Sequence, residues 1–115
     1  MNAESIKKMQ EVHLAIWNER SRSTRDSMIA QIYADEIKMY DPDSILKGTK
    51  EISDFIDKVQ SDSKFTIKAT QPMESTQNGA RLFWTITTEE GLLKGMDFFI
   101  LENEKVTNLY VFIES

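Results

Sequence analysis

The hydrophobic residues of this chain change their spacing once for good, near Ser61, and that change limits the folds open to it. Before it, apolar side chains recur every three or four residues, as one buried stripe of a helix requires. Ile6, Met9, His13, Ile16 and Trp17 predict a first helix from about residue 4 to about residue 19. The segment "SRSTRDS" then offers Ser23 or Thr24 as an N-cap, with Asp26 in the first turn where an acid suits the helix dipole. A second helix follows with Met28, Ile29, Ile32 and Tyr33 inward. Gly48 and the N-cap candidate Thr49 open a third, with Ile52, Phe55, Ile56 and Val59 on its apolar face, ending near Ser61. Between the second and third helices, "EIKMYD" alternates instead, so that Ile37, Met39 and Asp41 share one face of a short strand and Lys38 and Tyr40 the other. Pro42 ends that strand.

After Ser61 everything reads as strand and turn. "KFTIKATQPMEST", "ARLFWTITT", "LLKGMDFFIL" and "VTNLYVFIE" are separated by "QNG", "EEG" and "ENEK". Asn78-Gly79 and Glu90-Gly91 are hairpin signals, and the β-branched and aromatic flanks agree with them. Four antiparallel strands in a meander are expected. Helices first and an antiparallel sheet afterwards is the α+β pattern, with helices covering one face of the sheet. At 115 residues this is one domain, 1–115, without repeats or low-complexity segments.

Composition narrows the chemistry. There is no cysteine, which excludes disulfides, thiolate zinc sites and a cysteine nucleophile. Fourteen Lys and Arg against nineteen Asp and Glu give a net charge of −5, which repels phosphate backbones and anionic lipid heads. Nucleic acid and membrane are therefore not expected partners. The basic cluster "ERSRSTR" (19–25) reads as a solvated loop. "MNAESIKKMQEVHLAIW" carries charge throughout and lacks the apolar core of a signal peptide, so a cytoplasmic location is the expectation. The four glycines form no phosphate-binding or dinucleotide loop, no G-x-S-x-G is present, and no acidic spacing matches a calcium loop or a two-metal cluster.

Three polar residues stand out. Asp41, before Pro42, is either a turn initiator whose side chain accepts its own loop's N–H groups or a carboxylate held at the rim of a pocket. Asp97 lies inside "LLKGMDFFIL" with apolar neighbours on both sides, so a buried carboxylate is expected there. By strict alternation it shares a face with Gly95, Phe99 and Leu101. A purely structural role would tie it to Lys94, Arg81 or a helix N-terminus. His13, the only histidine, sits on the apolar stripe one turn before Trp17, where a core residue with a satisfied nitrogen competes with a proton donor.

The element order, with "WNER" (17–20), "YADEIKMYDPD" (33–43), "KGTKEISDFI" (47–56), "RLFW" (81–84) and "GMDFFILENEKVTNLYVFIE" (95–114), resembles the SnoaL-like branch of the nuclear transport factor 2-like superfamily. That resemblance implies a curved antiparallel sheet wrapped as a cone around three helices, with a pocket between them. It also implies a homodimer formed through the sheet. In the ketosteroid isomerase branch, the position of Asp41 carries the general base and that of Asp97 a neutral acid that donates to a developing oxyanion. His13 falls near a tyrosine donor of that branch. The implied activity is a cofactor-independent isomerase, cyclase or dehydratase, acting on a small apolar or aromatic ligand. Trp17, Phe55, Trp84 and Val111 would form the pocket walls. Epoxide hydrolysis on this fold needs an Arg between two acids, and none falls in register with Asp41 and Asp97. The alternative is a non-catalytic ligand-binding or association module, since the same fold hosts many functions.

Overall fold

In the computed structural model, which describes residues 1–114, three helices come early and the sheet dominates the rest. Helix α1 (Ala3–Asn18) starts where the Asn2 side chain accepts from the Ser5 N–H at 2.8 Å. Helix α2 (Arg22–Ile32) begins earlier than Ser23 or Thr24 would have placed it, because Ser21 is the residue that caps it. Strand β1 (Tyr33–Tyr40) then follows without any loop, so Tyr33 belongs to the strand and not to the helix. After the Asp41–Ser44 turn come strand β2 (Ile45–Lys47) and helix α3 (Gly48–Asp62). Thr49 does not cap α3. Gly48 enters the helix at φ +85°, a conformation glycine tolerates, and the Glu51 carboxylate reaches back to accept from the Lys47 N–H at 2.8 Å.

Five strands follow: β3 (Phe65–Ala69), β4 (Glu74–Thr76), β5 (Gly79–Thr88), β6 (Gly91–Glu102) and β7 (Lys105–Ile113). The stretch expected as one strand, "KFTIKATQPMEST", breaks into β3 and β4 on either side of Pro72, which has no N–H to offer a ladder. Both pieces pair with β5. The β6–β7 turn places Asn103 and Glu104 at φ +53° and +62°, as a tight two-residue hairpin requires. The sheet runs β2-β1-β7-β6-β5-β3, curved but not closed. Its one parallel pair is β1 with β7, which the sequence did not disclose because β1 reaches β7 across the whole intervening chain.

The core lies between the helices and one face of this sheet. Ile6, Met9 and Ile16 of α1, Ile52 and Ile56 of α3, and Leu82, Phe99 and Leu109 of the sheet are all buried in it. Among the described residues, no helix is long and apolar enough to cross a membrane.

The "ERSRSTR" cluster is not a solvated loop. Arg22 to Arg25 form the first turn of α2, and the Arg25 side chain is wholly buried. Its guanidinium donates to the Glu19 carbonyl (3.0 Å), Gln60 Oε1 (3.2 Å), Ser53 Oγ and carbonyl oxygens (3.3 Å each) and the Asp57 carboxylate. Five donors in a rigid fork suit a site where three chain segments meet. Arg22 adds contacts to Asp54 and Asp57 at 2.7 and 2.6 Å. The hydrogen bond from Arg22 holds the Asp54 carboxyl below the usual range, and that from Arg25 does the same for Asp57.

Depressed carboxylates stabilise the fold at pH above their ordinary range near 4, and that contribution is lost as pH falls through the lower folded values. Arg25→Ala is expected to lower unfolding free energy by about 2–4 kcal/mol at neutral pH, since it leaves buried acceptors without donors. It should also flatten the loss of stability on acidification. Denaturant unfolding of both proteins across the acid range checks this, and an unchanged midpoint would refute the clamp.

Candidate functional site

The site grows from a carboxylate in mid-strand. On β6 the residues Gly95, Asp97 and Phe99 alternate onto the helix-facing side, and Asp97 is only 5% exposed. Gly95 makes its surroundings possible. A side chain there would collide with the Trp84 indole and with the Phe112 carbonyl, so the bare glycine lets Trp84 of β5 lie across β6. From that position Trp84 Nε1 donates to Asp97 Oδ1 at 2.9 Å. The pair is diagonal, because Trp84 stands opposite Gly95 and Asp97 opposite Leu82.

The other oxygen is taken from the helix side. His13 lies on the buried stripe of α1, is fully buried, and sets Nε2 2.8 Å from Asp97 Oδ2. Phe99 supports the imidazole edge-on, with centroids 4.8 Å apart. His13 Nδ1 lies 2.7 Å from the Tyr33 hydroxyl, which also accepts from Trp17 Nε1 at 3.2 Å. Burial, against a weaker opposing effect of the Trp17 hydrogen bond, pushes the Tyr33 phenol well above its ordinary value, so it stays a neutral donor.

Counting hydrogens orients the chain. Tyr33 accepts from Trp17, and the one side-chain partner its own hydrogen has among the described residues is His13 Nδ1; satisfying that hydrogen assigns Nδ1 as acceptor and the imidazole hydrogen to Nε2. That hydrogen points at Asp97. Every donor therefore runs toward one carboxylate, and among the described residues no buried side-chain polar atom is left unpaired. In this arrangement Asp97 is a hydrogen-bond acceptor at both oxygens.

A cavity of about 200 Å³ lies in front of it, between α1, α3 and the sheet. Trp17, Phe55, Trp84 and Val111, expected as walls, all line it, together with Val59, Phe65, Ile67, Leu93 and other apolar side chains. Asp41 and Asp97 are the charged side chains on its wall. His13 is not on the wall but behind Asp97. Larger depressions exist, one of about 530 Å³ between the start of α1 and Pro72–Ser75, but that one is an open surface groove without a buried polar group on its wall.

Asp41 is both turn and wall. Its Oδ1 accepts from the Asp43 and Ser44 N–H groups at 2.8 and 2.7 Å and from the Ser44 hydroxyl at 2.9 Å. These three donors involve Oδ1 alone, leaving Oδ2 as the oxygen available to a ligand. Sequence reasoning missed Tyr33, which it placed on a helix, and assigned Trp84 only a wall role. The partners expected for a structural Asp97, namely Lys94, Arg81 or a helix end, are not the ones it has. The glycine two residues before a buried acid was the available signal.

Tyr33 offers a direct check. Because its folded phenol binds its proton more tightly than an unfolded one, stability contributed by this group is full below about pH 10 and is lost as pH rises beyond it. Tyr33→Phe is expected to flatten that alkaline loss while costing about 1–3 kcal/mol at neutral pH through the unpaired His13 and Trp17 nitrogens. Chemical denaturation from neutral to alkaline pH measures both effects, and an unaltered alkaline slope would contradict this placement.

By sequence, the chain matches no protein-family model and no curated protein. By structure it is similar to a provisionally assigned isomerase of the SnoaL-like family from Agrobacterium tumefaciens, with a TM-score of 0.88 at 20% identity, covering 97% of this chain and 99% of that one. A provisionally assigned polyketide cyclase from Sinorhizobium meliloti matches at TM-score 0.78 and 6% identity, over 96% and 99% of the two chains. A nuclear transport factor 2-like protein of unknown function from Cytophaga hutchinsonii matches at 0.68 and 15%, over 92% and 85%. Identities this low speak for architecture alone. The three helices, the curved sheet and these likenesses together show that the chain has the α+β cone fold shared by SnoaL-like and nuclear transport factor 2-like proteins.

Proposed function

We propose that this protein binds a small, mostly apolar or aromatic molecule in the cavity and acts on it as a cofactor-independent isomerase, cyclase or dehydratase, with Asp41 as general base. The observation that carries this reading is the convergence of two carboxylates, held in different ways, on one apolar-walled cavity. Asp41 keeps one oxygen in its turn and presents the other. Pro42 and the three turn donors fix it in place, as a base that must meet a bound substrate requires. Asp97 lies deeper in the wall, held at both oxygens by Trp84 and His13. His13 acts through Asp97 as a positioning residue, since both its nitrogens are engaged and none faces the cavity.

This differs in one respect from the ketosteroid isomerase pattern. There the acid at the position of Asp97 donates to an oxyanion, whereas the donors around Asp97 here favour an acceptor. That same saturation favours the second reading, a binding module without catalysis.

Proton exchange separates the two readings. Small cyclic imines incubated with the protein in heavy water are expected to take up deuterium next to the imine carbon. Asp41→Asn should slow that exchange by about 10²–10⁴-fold. The amide retains an oxygen for the turn, so thermal unfolding of the variant is expected to stay close to that of the parent. Exchange at the parent's rate in Asp41→Asn would rule out this base, and binding without exchange in the parent would leave the binding module.

The homodimer implied by the resemblance would use the sheet face opposite Asp97. There Tyr40 stacks on Tyr110 at 4.6 Å, Phe98 lies 6.4 Å from Tyr110, and Phe112 is 54% exposed. Light scattering is expected to give twice the chain mass for the parent and a monomer for Phe112→Glu. A monomeric parent would end this proposal.

A further inference from the structure

We propose that the ligand of this cavity is a small organic cation, a protonated amine or iminium on a single-ring or similarly compact apolar body. This rests on the reading that the cavity is the ligand site, and it names the charge class that the site takes.

The wall carries two carboxylates, Asp41 and Asp97, and no Lys, Arg or His side chain is among its lining residues. Its potential hydrogen-bond donors are already spent. The Trp17 indole N–H goes to Tyr33 and the Trp84 indole N–H to Asp97. Side chains of this wall can therefore accept hydrogen bonds from a ligand but have none to give. An anionic ligand would be desolvated against a wall with two carboxyl groups and no free side-chain donor. A ketone or ester oxygen would be buried without a side-chain donor.

A cation meets the opposite situation. Asp41 Oδ2 and the remaining lone pairs of Asp97 can accept from an ammonium or iminium N–H. Trp17, Phe55, Phe65 and Trp84 present aromatic rings around the same space, and ring faces attract organic cations. Trp17 and Phe55 meet nearly edge-to-face at 6.2 Å and 73°, so their ring orientations are set before a ligand arrives. The volume, about 200 Å³, is below the roughly 300–1,000 Å³ of drug-sized sites, which favours a compact molecule.

The charge class also answers the missing oxyanion donor. When Asp41 removes a proton from the carbon beside a C=N⁺ group, the C–H electron pair becomes a C=C bond and the C=N π pair moves onto nitrogen. The proton ends on Asp41 and the product is a neutral enamine. No negative charge develops on the substrate, so no donor is required. Where the substrate is a β,γ-unsaturated iminium that enamine is a dienamine, and return of the proton from Asp41 to its γ carbon, with the nitrogen lone pair re-forming C=N⁺ and the C=C shifting to α,β, completes an isomerisation with no further reactant.

Both tryptophans of the chain line the cavity, so their fluorescence reports on its occupation. Benzylammonium, benzyl alcohol and benzoate, titrated separately at neutral pH, share a ring and differ in charge. Benzylammonium is expected to bind at least about tenfold tighter than benzyl alcohol, with benzoate weakest, and Asp41→Asn should remove most of the ammonium's advantage while leaving the alcohol's affinity nearly unchanged. Equal binding of ammonium and alcohol, or tighter binding of benzoate, would overturn the cation inference while leaving the cavity as the ligand site. Failure of all three to perturb the tryptophans or to give heat of binding would overturn both.

Discussion

A carboxylate in the middle of β6 must be given partners before the sheet can pack against α1, and the arrangement of the site follows from how Asp97 obtains them. One oxygen is met from within the sheet by Trp84, the other from the helix layer by His13. Each partner carries its own requirement. Trp84 reaches Asp97 only because residue 95 has no side chain, and His13 is oriented only because Tyr33 holds its second nitrogen. Tyr33 in turn is steadied by Trp17. Five side chains from α1, β1, β5 and β6 thus share one set of hydrogen bonds. A buried network of this kind is stable when every member is satisfied and costly when any is not, so it specifies a single way for the layers to meet.

The same network shapes the cavity. By drawing both indoles inward it leaves their ring surfaces as walls and spends their N–H groups. What remains is an apolar space with a carboxyl group at two points, Asp97 at the wall and Asp41 on the Asp41–Ser44 turn. Arg25 joins the end of α1 to α2 and α3 with its own set of hydrogen bonds, fixing the helix layer that carries His13 and Trp17. Two polar clusters, one around Asp97 and one around Arg25, therefore align the helices over the sheet.

Much of this was legible in the chain before its structure. Asp41 and Asp97, and the walls Trp17, Phe55, Trp84 and Val111, were singled out, and all six line one cavity. Helical spacing and alternation assigned faces to Trp17, Phe55, Asp41 and Asp97, and the resemblance to SnoaL-like proteins implied the pocket and its walls. Arg25 was misread, since a basic run between two helices resembles a solvated loop until the carbonyl of Glu19 and the side chains of Ser53, Asp57 and Gln60 are known to surround it. Tyr33 was misread for a related reason. Helical spacing continued through it, and only pairing with Val106 shows that the strand has already begun.

The sequence alone determined the class of the fold, through its period change near Ser61, its hairpin turns and the apolar faces of its three helices. These are local signals, written within a few residues of where they act. The direction of the hydrogen bonds at Asp97, the place of His13 behind the wall and the parallel pairing of β1 with β7 were decided only by the tertiary structure. They depend on residues 20 to 84 positions apart, and which of several compatible partners a buried polar group takes is settled by packing, not by its neighbours in the chain.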